Sequence, residues 1–187
     1  RARSLALARR HGVTYIGIDY REDLRPFQKT LQAQADRSAR VEIACLSQLP
    51  EVLETSGIDA ATPVICAFPF NLIGNIGEFD DTLRRYAAVG VDIALCNFNC
   101  ATKTTEIRRR YYERCQIGKV VDMETAEGVL FSNFDAFYSF SYHENTLRAR
   151  LKRCGYQVTR VENEATNLFI HATPAQPDQA AARRSPR

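Results

Sequence analysis

Pro63-Val-Ile-Cys-Ala-Phe68 continues directly into Pro69-Phe-Asn-Leu-Ile-Gly-Asn75. The first six residues form an almost unbroken apolar run. Such a run is expected of a central parallel strand covered on both faces. Pro69–Asn75 then form a stiff turn with two aromatic–proline neighbours and two asparagines. Working outward, Val13-Thr-Tyr-Ile-Gly-Ile-Asp19, Val41-Glu-Ile-Ala-Cys45 and Val91-Asp-Ile-Ala-Leu-Cys96 have the same short, apolar, β-branched character. Between them the apolar residues return at helical spacing. Helices are predicted over 2–11, 22–35, 49–57, 78–88 and 104–115, the last carrying Ile107, Tyr111 and Cys115 on one stripe. Alternation of this kind predicts right-handed βαβ units and an α/β fold: a three-layer sandwich around a mostly parallel sheet.

After residue 117 the rhythm changes. Lys119–Met123 and Gly128–Ser132 read as a β-hairpin, and Phe134–Tyr142 as an extended aromatic segment. Ser141 and Glu144 have capping-box spacing ahead of a helix with Leu147 and Leu151, closed by Gly155. Asn75 and Glu78 have the same spacing ahead of the 78–88 helix. Tyr156–Val161 and Asn167–Ala172 are too close in sequence for a crossover, so an antiparallel last strand is expected. Residues 173–187, rich in Pro, Ala, Gln and Arg, read as a disordered tail.

The chain has 187 residues, 45% of them hydrophobic and 25% charged, which suits a single globular domain. The net charge is only +3, and much of the excess sits in arginines at the two ends, so nucleic acid is not the expected partner. The run Arg108-Arg-Arg110 reads as a solvated helix face. No apolar run reaches the roughly 20 residues of a membrane helix, and no signal-peptide pattern opens the chain. None of the 6 cysteines form a Cys-x-x-Cys pair, and the 3 histidines have no metal-ligand spacing. The expectation is a cytoplasmic protein with reduced thiols and no metal.

Three features carry chemistry. Asp19 ends an apolar strand, where open α/β sheets bind ligands; its carboxylate suits two ribose hydroxyls and equally suits capping the next helix. Phe68, Pro69, Phe70, Asn71 and Asn75 form a wall with amide donors and acceptors, or a tight turn and a cap. Tyr138 and Tyr142 belong to an aromatic run that ends beside His143. His143 is the candidate general base, and it also fits the first turn of a helix capped by Ser141.

These elements, in this order, resemble the class I S-adenosylmethionine-dependent methyltransferases over residues 2–172. The resemblance implies S-adenosylmethionine as cofactor. It puts Asp19 at the ribose and Tyr20 against the adenosyl group. Cys45, Leu46 and Ser47 fall where the family lines the adenine, and Phe68–Asn71 fall beside the transferred methyl. The hairpin and aromatic run become a substrate lid. The family's first strand and Gly-x-Gly loop have no counterpart in residues 1–187, so they are expected upstream of Arg1.

The function so implied is methyl transfer to a small-molecule acceptor, with Phe70, Asn71, Asn75, Tyr138 and Tyr142 on the acceptor side. A homodimer stays open. Two other functions fit the same residues. An NAD-linked oxidoreductase would also use Asp19 on a ribose, although the antiparallel end and the lack of Tyr-x-x-x-Lys oppose it. A non-catalytic domain of the same fold could serve as a scaffold.

Overall fold

The computed structural model describes residues 15–19, 39–43, 48–55, 57–58, 62–76, 79–133 and 137–175, with backbone alone for the first two ranges. The chain divides into two compact units, Arg1–Ala60 and Ala61–Arg187. In the first unit β1 (Tyr15–Asp19) pairs in parallel with β2 (Ala39–Ile43), and Asp19 lies opposite Ile43 at their shared carboxyl end. A helix α1 (Leu49–Thr55) buries Leu49 and Val52. The helices predicted over 2–11 and 22–35 lie outside the described residues.

The second unit holds a four-stranded sheet and a three-stranded sheet. The first is built from β3 (Ile65–Phe68), β4 (Asp92–Phe98), β8 (Tyr156–Asn163) and β9 (Asn167–Pro174), in the order β3-β4-β9-β8. β3 and β4 are parallel, while β9 runs antiparallel to both β4 and β8. Among the described residues, therefore, two pairings in the α/β sheets are parallel and two antiparallel. The expected antiparallel closing strand is present. It runs to Pro174, two residues into the segment read as a tail, and 176–187 lie outside the described residues.

Ile93, Leu95 and Asn97 alternate inward along β4, as do Leu168, Ile170 and Ala172 along β9. Their buried side meets α2 (Phe79–Ala88) and α4 (Glu144–Arg153), whose Phe79, Leu83, Tyr86, Leu147 and Leu151 are fully buried. Each such side chain contributes about 1.5–3 kcal/mol. β3 departs from its predicted double burial. Phe68 is 1% exposed, but Ile65 is 59% exposed, because β3 is the outer strand of this sheet among the described residues.

The insertion is a complete antiparallel sheet rather than a hairpin. β5 (Val121–Glu124), β6 (Gly128–Ser132) and β7 (Tyr138–Tyr142) pair in chain order. It packs on α3 (Thr102–Arg114). The apolar stripe predicted for α3 is on the wrong side. Ile107 and Tyr111 are 43% and 59% exposed and Cys115 is exposed, whereas Thr104, Arg108 and Tyr112 are buried. The helix is turned by one residue because Tyr112 stacks edge-on to Phe137 and tilts against Phe131, at 4.7 and 5.2 Å. Arg108 goes in with it.

The turn Leu72–Asn75, one turn of 3₁₀ helix, lies against β7. Gly74 makes that approach possible. A Cβ built there would stand 1.9 Å from the Phe140 carbonyl oxygen, which is backbone and cannot yield. Gly74→Ala is therefore expected to destabilise the second unit by about 2–4 kcal/mol, read as a lower urea midpoint at unchanged slope.

Within β3, burial pushes the Cys66 thiol up to about 12, against a smaller opposite effect of its hydrogen bond with Tyr86. Burial raises Tyr86 and Tyr156 as well. An unfolded chain ionises its thiol near 9.0 while the folded chain keeps the proton, so the folded state binds more protons above that value. Stability should accordingly fall as pH rises from about 9 toward 12. Urea midpoints across that range are expected to drop less steeply in Cys66→Ala.

Candidate functional site

The carboxyl ends of β3 and β4 point the same way, and the residues just past them form one rim. Pro69 and Phe70 are exposed, Phe70 at 88%. Phe70 and Asn71 both hold left-handed backbone, with φ of 49° and 60°. Two consecutive non-glycine residues in that region cost on the order of 1 kcal/mol each and persist only when neighbours hold them. Asn71 supplies the hold. Its N–H donates to the Cys96 carbonyl at 2.7 Å, and its Nδ2 donates to the Phe140 carbonyl at 2.9 Å and to Ser139 Oγ at 3.2 Å. Its Oδ1 accepts the Phe98 N–H at 3.2 Å. Asn71, itself buried, thus ties the rim of β3 to β4 and to β7.

Beside this rim is a pocket of about 250 Å³. Asn99, Cys100 and Ala101 line it where β4 passes into α3, and Tyr142, His143 and Glu144 where β7 passes into α4. Asn163, the last residue of β8, and Leu168, near the start of β9, close it. Asn99 organises the wall. Its Nδ2 donates to Asn163 Oδ1 and the Glu164 carbonyl, at 3.1 and 2.7 Å, and its Oδ1 accepts from the Ala101 N–H. Tyr142 stacks on Phe79 with ring centroids 6.4 Å apart, and the guanidinium of Arg150 lies 4.8 Å from the centroid of the Tyr142 ring. Glu144 is paired with Arg148 at 2.8 Å. Burial raises the Cys100 thiol, which donates to the Ser141 carbonyl, so it is not a poised nucleophile.

Of the residues singled out in the sequence, Tyr142 and His143 share this pocket. Phe70, Asn71, Asn75 and Tyr138 do not line it. Asn75 is an exposed end of the 3₁₀ turn, and Tyr138 is half-exposed at the start of β7. Phe68 turns inward, 6.2 Å from Phe79 and 6.1 Å from Tyr86, and is a core residue. Asp19 stands at the carboxyl end of β1, while Tyr20, Leu46 and Ser47 lie outside the described residues. One expected cap is corrected. Ser141 is a buried residue of β7, and His143 is the residue that precedes α4, its N–H donating to the Glu127 carbonyl. Glu78 lies outside the described residues, and α2 begins at Phe79. Among the described residues, no group of three metal-ligating side chains occurs, and no helix is long and apolar enough to cross a membrane.

Asn99, Cys100, Glu144 and Asn163 join the pocket without a sequence signal that singles them out. Asn99 is legible in principle, since it follows the carboxyl end of a parallel strand. The apolar run stops at Cys96, however, while the strand itself continues to Phe98.

No family model matches the sequence, and no curated protein matches it. Solved structures do match. A methyltransferase of the S-adenosylmethionine-dependent type from Methanosarcina mazei has a TM-score of 0.58 at 19% identity, over 93% of this chain and 87% of its own. The chain has the fold of the class I S-adenosylmethionine-dependent methyltransferases. The 1,6-didemethyltoxoflavin N1-methyltransferase of Burkholderia thailandensis, solved with that substrate and S-adenosylhomocysteine, matches at 0.55 and 11%, over 92% and 76%. The magnesium protoporphyrin IX methyltransferase of Synechocystis PCC 6803, solved with S-adenosylhomocysteine, scores 0.50 at 14%, over 92% and 68%.

The rim depends on Asn71. Asn71→Ala removes several buried hydrogen bonds and leaves the Phe98 N–H without its acceptor, at a cost of about 2–4 kcal/mol. Hydrogen exchange is expected to quicken at Phe98 and Gly74, whose N–H donates to the Asn71 carbonyl. Unchanged protection at both amides would contradict the latch.

Proposed function

We propose that the protein transfers a methyl group from S-adenosylmethionine to a small-molecule acceptor. The observation that carries this reading is a polar pocket just past the carboxyl end of β4, one strand of a parallel pair, in a chain with this fold. Open α/β sheets place their ligands at that end of their strands.

The residues present suit the cofactor. Asp19 offers a carboxylate, an acceptor-only group, at the carboxyl end of a parallel strand, which matches the two hydroxyl donors of a ribose. S-adenosylmethionine, when bound, supplies a methyl already activated on a sulfonium sulfur. The protein's own part is then alignment and exclusion of water. The pocket has room for a compact acceptor, below the roughly 300–1,000 Å³ of sites for drug-sized ligands. Tyr142 gives it an aromatic wall, and Asn99 holds the opposite wall in place. His143 has an imidazole at the pocket and takes the proton that a hydroxyl or amine acceptor loses. Phe70, held out past the end of β3 by its strained backbone, gives an exposed flat face for the methyl-bearing group.

Calorimetry with S-adenosylhomocysteine tests the reading. Binding is expected, weakened about tenfold or more in Asp19→Ala, since each hydrogen bond to a charged group is worth about 1.5–3 kcal/mol. Equal affinity in the two proteins would remove Asp19 from the site, and binding of NAD in place of S-adenosylhomocysteine would favour the oxidoreductase.

A further inference from the structure

Arg108 is a full charge inside the protein, 2% exposed. It leaves α3 toward β7, donating to Ser141 Oγ and, from Nη2, to the Ser139 carbonyl and Oγ at 3.2 and 3.1 Å. Its guanidinium lies 4.3 Å from the centroid of Phe131 and 4.9 Å from that of Phe98. Its Nε has no partner. Among the described residues no carboxylate pairs with it; the nearby Asp122 is taken by Arg109, at 2.8 and 2.9 Å. Hydroxyls and ring faces ease the burial of a cation but do not neutralise it.

This charge sits one residue behind the pocket. Ser141 accepts from Arg108 through its hydroxyl and from the Cys100 thiol through its carbonyl, and Cys100 lines the pocket. The effect reaches the wall: the charge of Arg108 pulls the Cys100 thiol down against its burial. Two helices also begin at the pocket. α3 follows Ala101 and α4 follows His143, and neither start carries a side-chain cap, so the positive ends of both helix dipoles add to the same field. The pocket's one carboxylate, Glu144, is matched by Arg148.

The geometry points to a pocket that selects an acceptor bearing an anionic group, a carboxylate or a phosphate, because the uncompensated guanidinium of Arg108 stands behind its wall. This deepens the methyl-transfer reading by giving the acceptor a charge, and it rests on that reading only for the word acceptor. A buried field of this kind acts strongly because little water screens it.

The test titrates the full chain with inorganic phosphate and, separately, with succinate. Ionic strength is held constant with potassium chloride, and the backbone amides of Asn99, Ala101 and Glu144 are followed by NMR. Saturable shifts at those amides are expected with at least one of the two anions, and the stronger one tells phosphate from carboxylate. Arg108→Lys keeps the charge and keeps the binding, whereas Arg108→Met weakens it about tenfold or more. Arg110→Met, an exposed arginine of the same helix, leaves it unchanged. Glu144→Gln removes the pocket's carboxylate, frees its partner Arg148, and tightens binding about threefold, while Arg108→Lys keeps the test on Arg108 readable even where Arg108→Met does not fold. Absence of saturable shifts, equal loss in Arg110→Met, or no tightening in Glu144→Gln overturns the proposal. S-adenosylhomocysteine is titrated into the same samples. Its binding without anion binding sinks the anionic pocket alone, and the reverse sinks methyl transfer alone.

Discussion

The second unit depends on how α3 meets β7, and that contact is built around one buried cation. Arg108 reaches from the helix to Ser139 and Ser141 on the strand, while the Tyr112 hydroxyl shares Ser139 Oγ at 2.9 Å. These polar groups are shut in by Phe98, Phe131 and Phe137. A buried polar seam is demanding, because every donor and acceptor within it must be matched or stand as a loss. Such a seam fixes alignment more strictly than an apolar contact does. Sliding β7 by one residue would turn Ser139 and Ser141 away and present Phe140 to the guanidinium.

Alignment of β7 matters because it holds both the rim after β3 and one wall of the pocket. Ser139 and Phe140 receive the side chain of Asn71 and so hold the loop after β3. At the far end of the same strand, Tyr142 and His143 enter the pocket. The same α3 that carries Arg108 begins at the pocket's opposite wall, after Asn99, Cys100 and Ala101. The inserted sheet is therefore less a cover laid over a finished site than one of its supports. Gly128 belongs to the same arrangement: its φ of 156° and the lack of a side chain let β6 pass close to the Ser141 carbonyl, where a Cβ would stand at 1.9 Å.

Much of this is readable one residue at a time. Short apolar runs overlap β1, β2, β3 and β4, because β-branched and apolar residues suit paired strands, although β2 begins two residues before its run at Val41. The brief connection between β8 and β9 forces an antiparallel end. α3 misleads for a physical reason. Its two candidate stripes differ by one helical step, one carrying Ile107, Tyr111 and Cys115 and the other Thr104, Arg108 and Tyr112. Hydrophobicity favours the first. The second wins because Tyr112 brings a large ring against two others, and because hydroxyls and π faces on β6, β7 and β4 accept the guanidinium. Nothing within the helix announces partners that lie some 31 to 33 residues away. Ser141 misleads likewise: its spacing to Glu144 suits a cap, but its hydroxyl is committed to Arg108.

By itself, then, the sequence determined the order of the described strands and helices, and put Tyr142 and His143 side by side where β7 meets α4. Those are properties of local pattern and chain connectivity. Only the tertiary structure decided that Phe68 is core, that Asn71 is a latch, and that Asn99 and Glu144 face one pocket. It alone decided that a charge stands behind that pocket. Burial and hydrogen-bond partnership are settled between segments distant along the chain, where the cost of an unmatched polar group is reckoned over the whole packed interior.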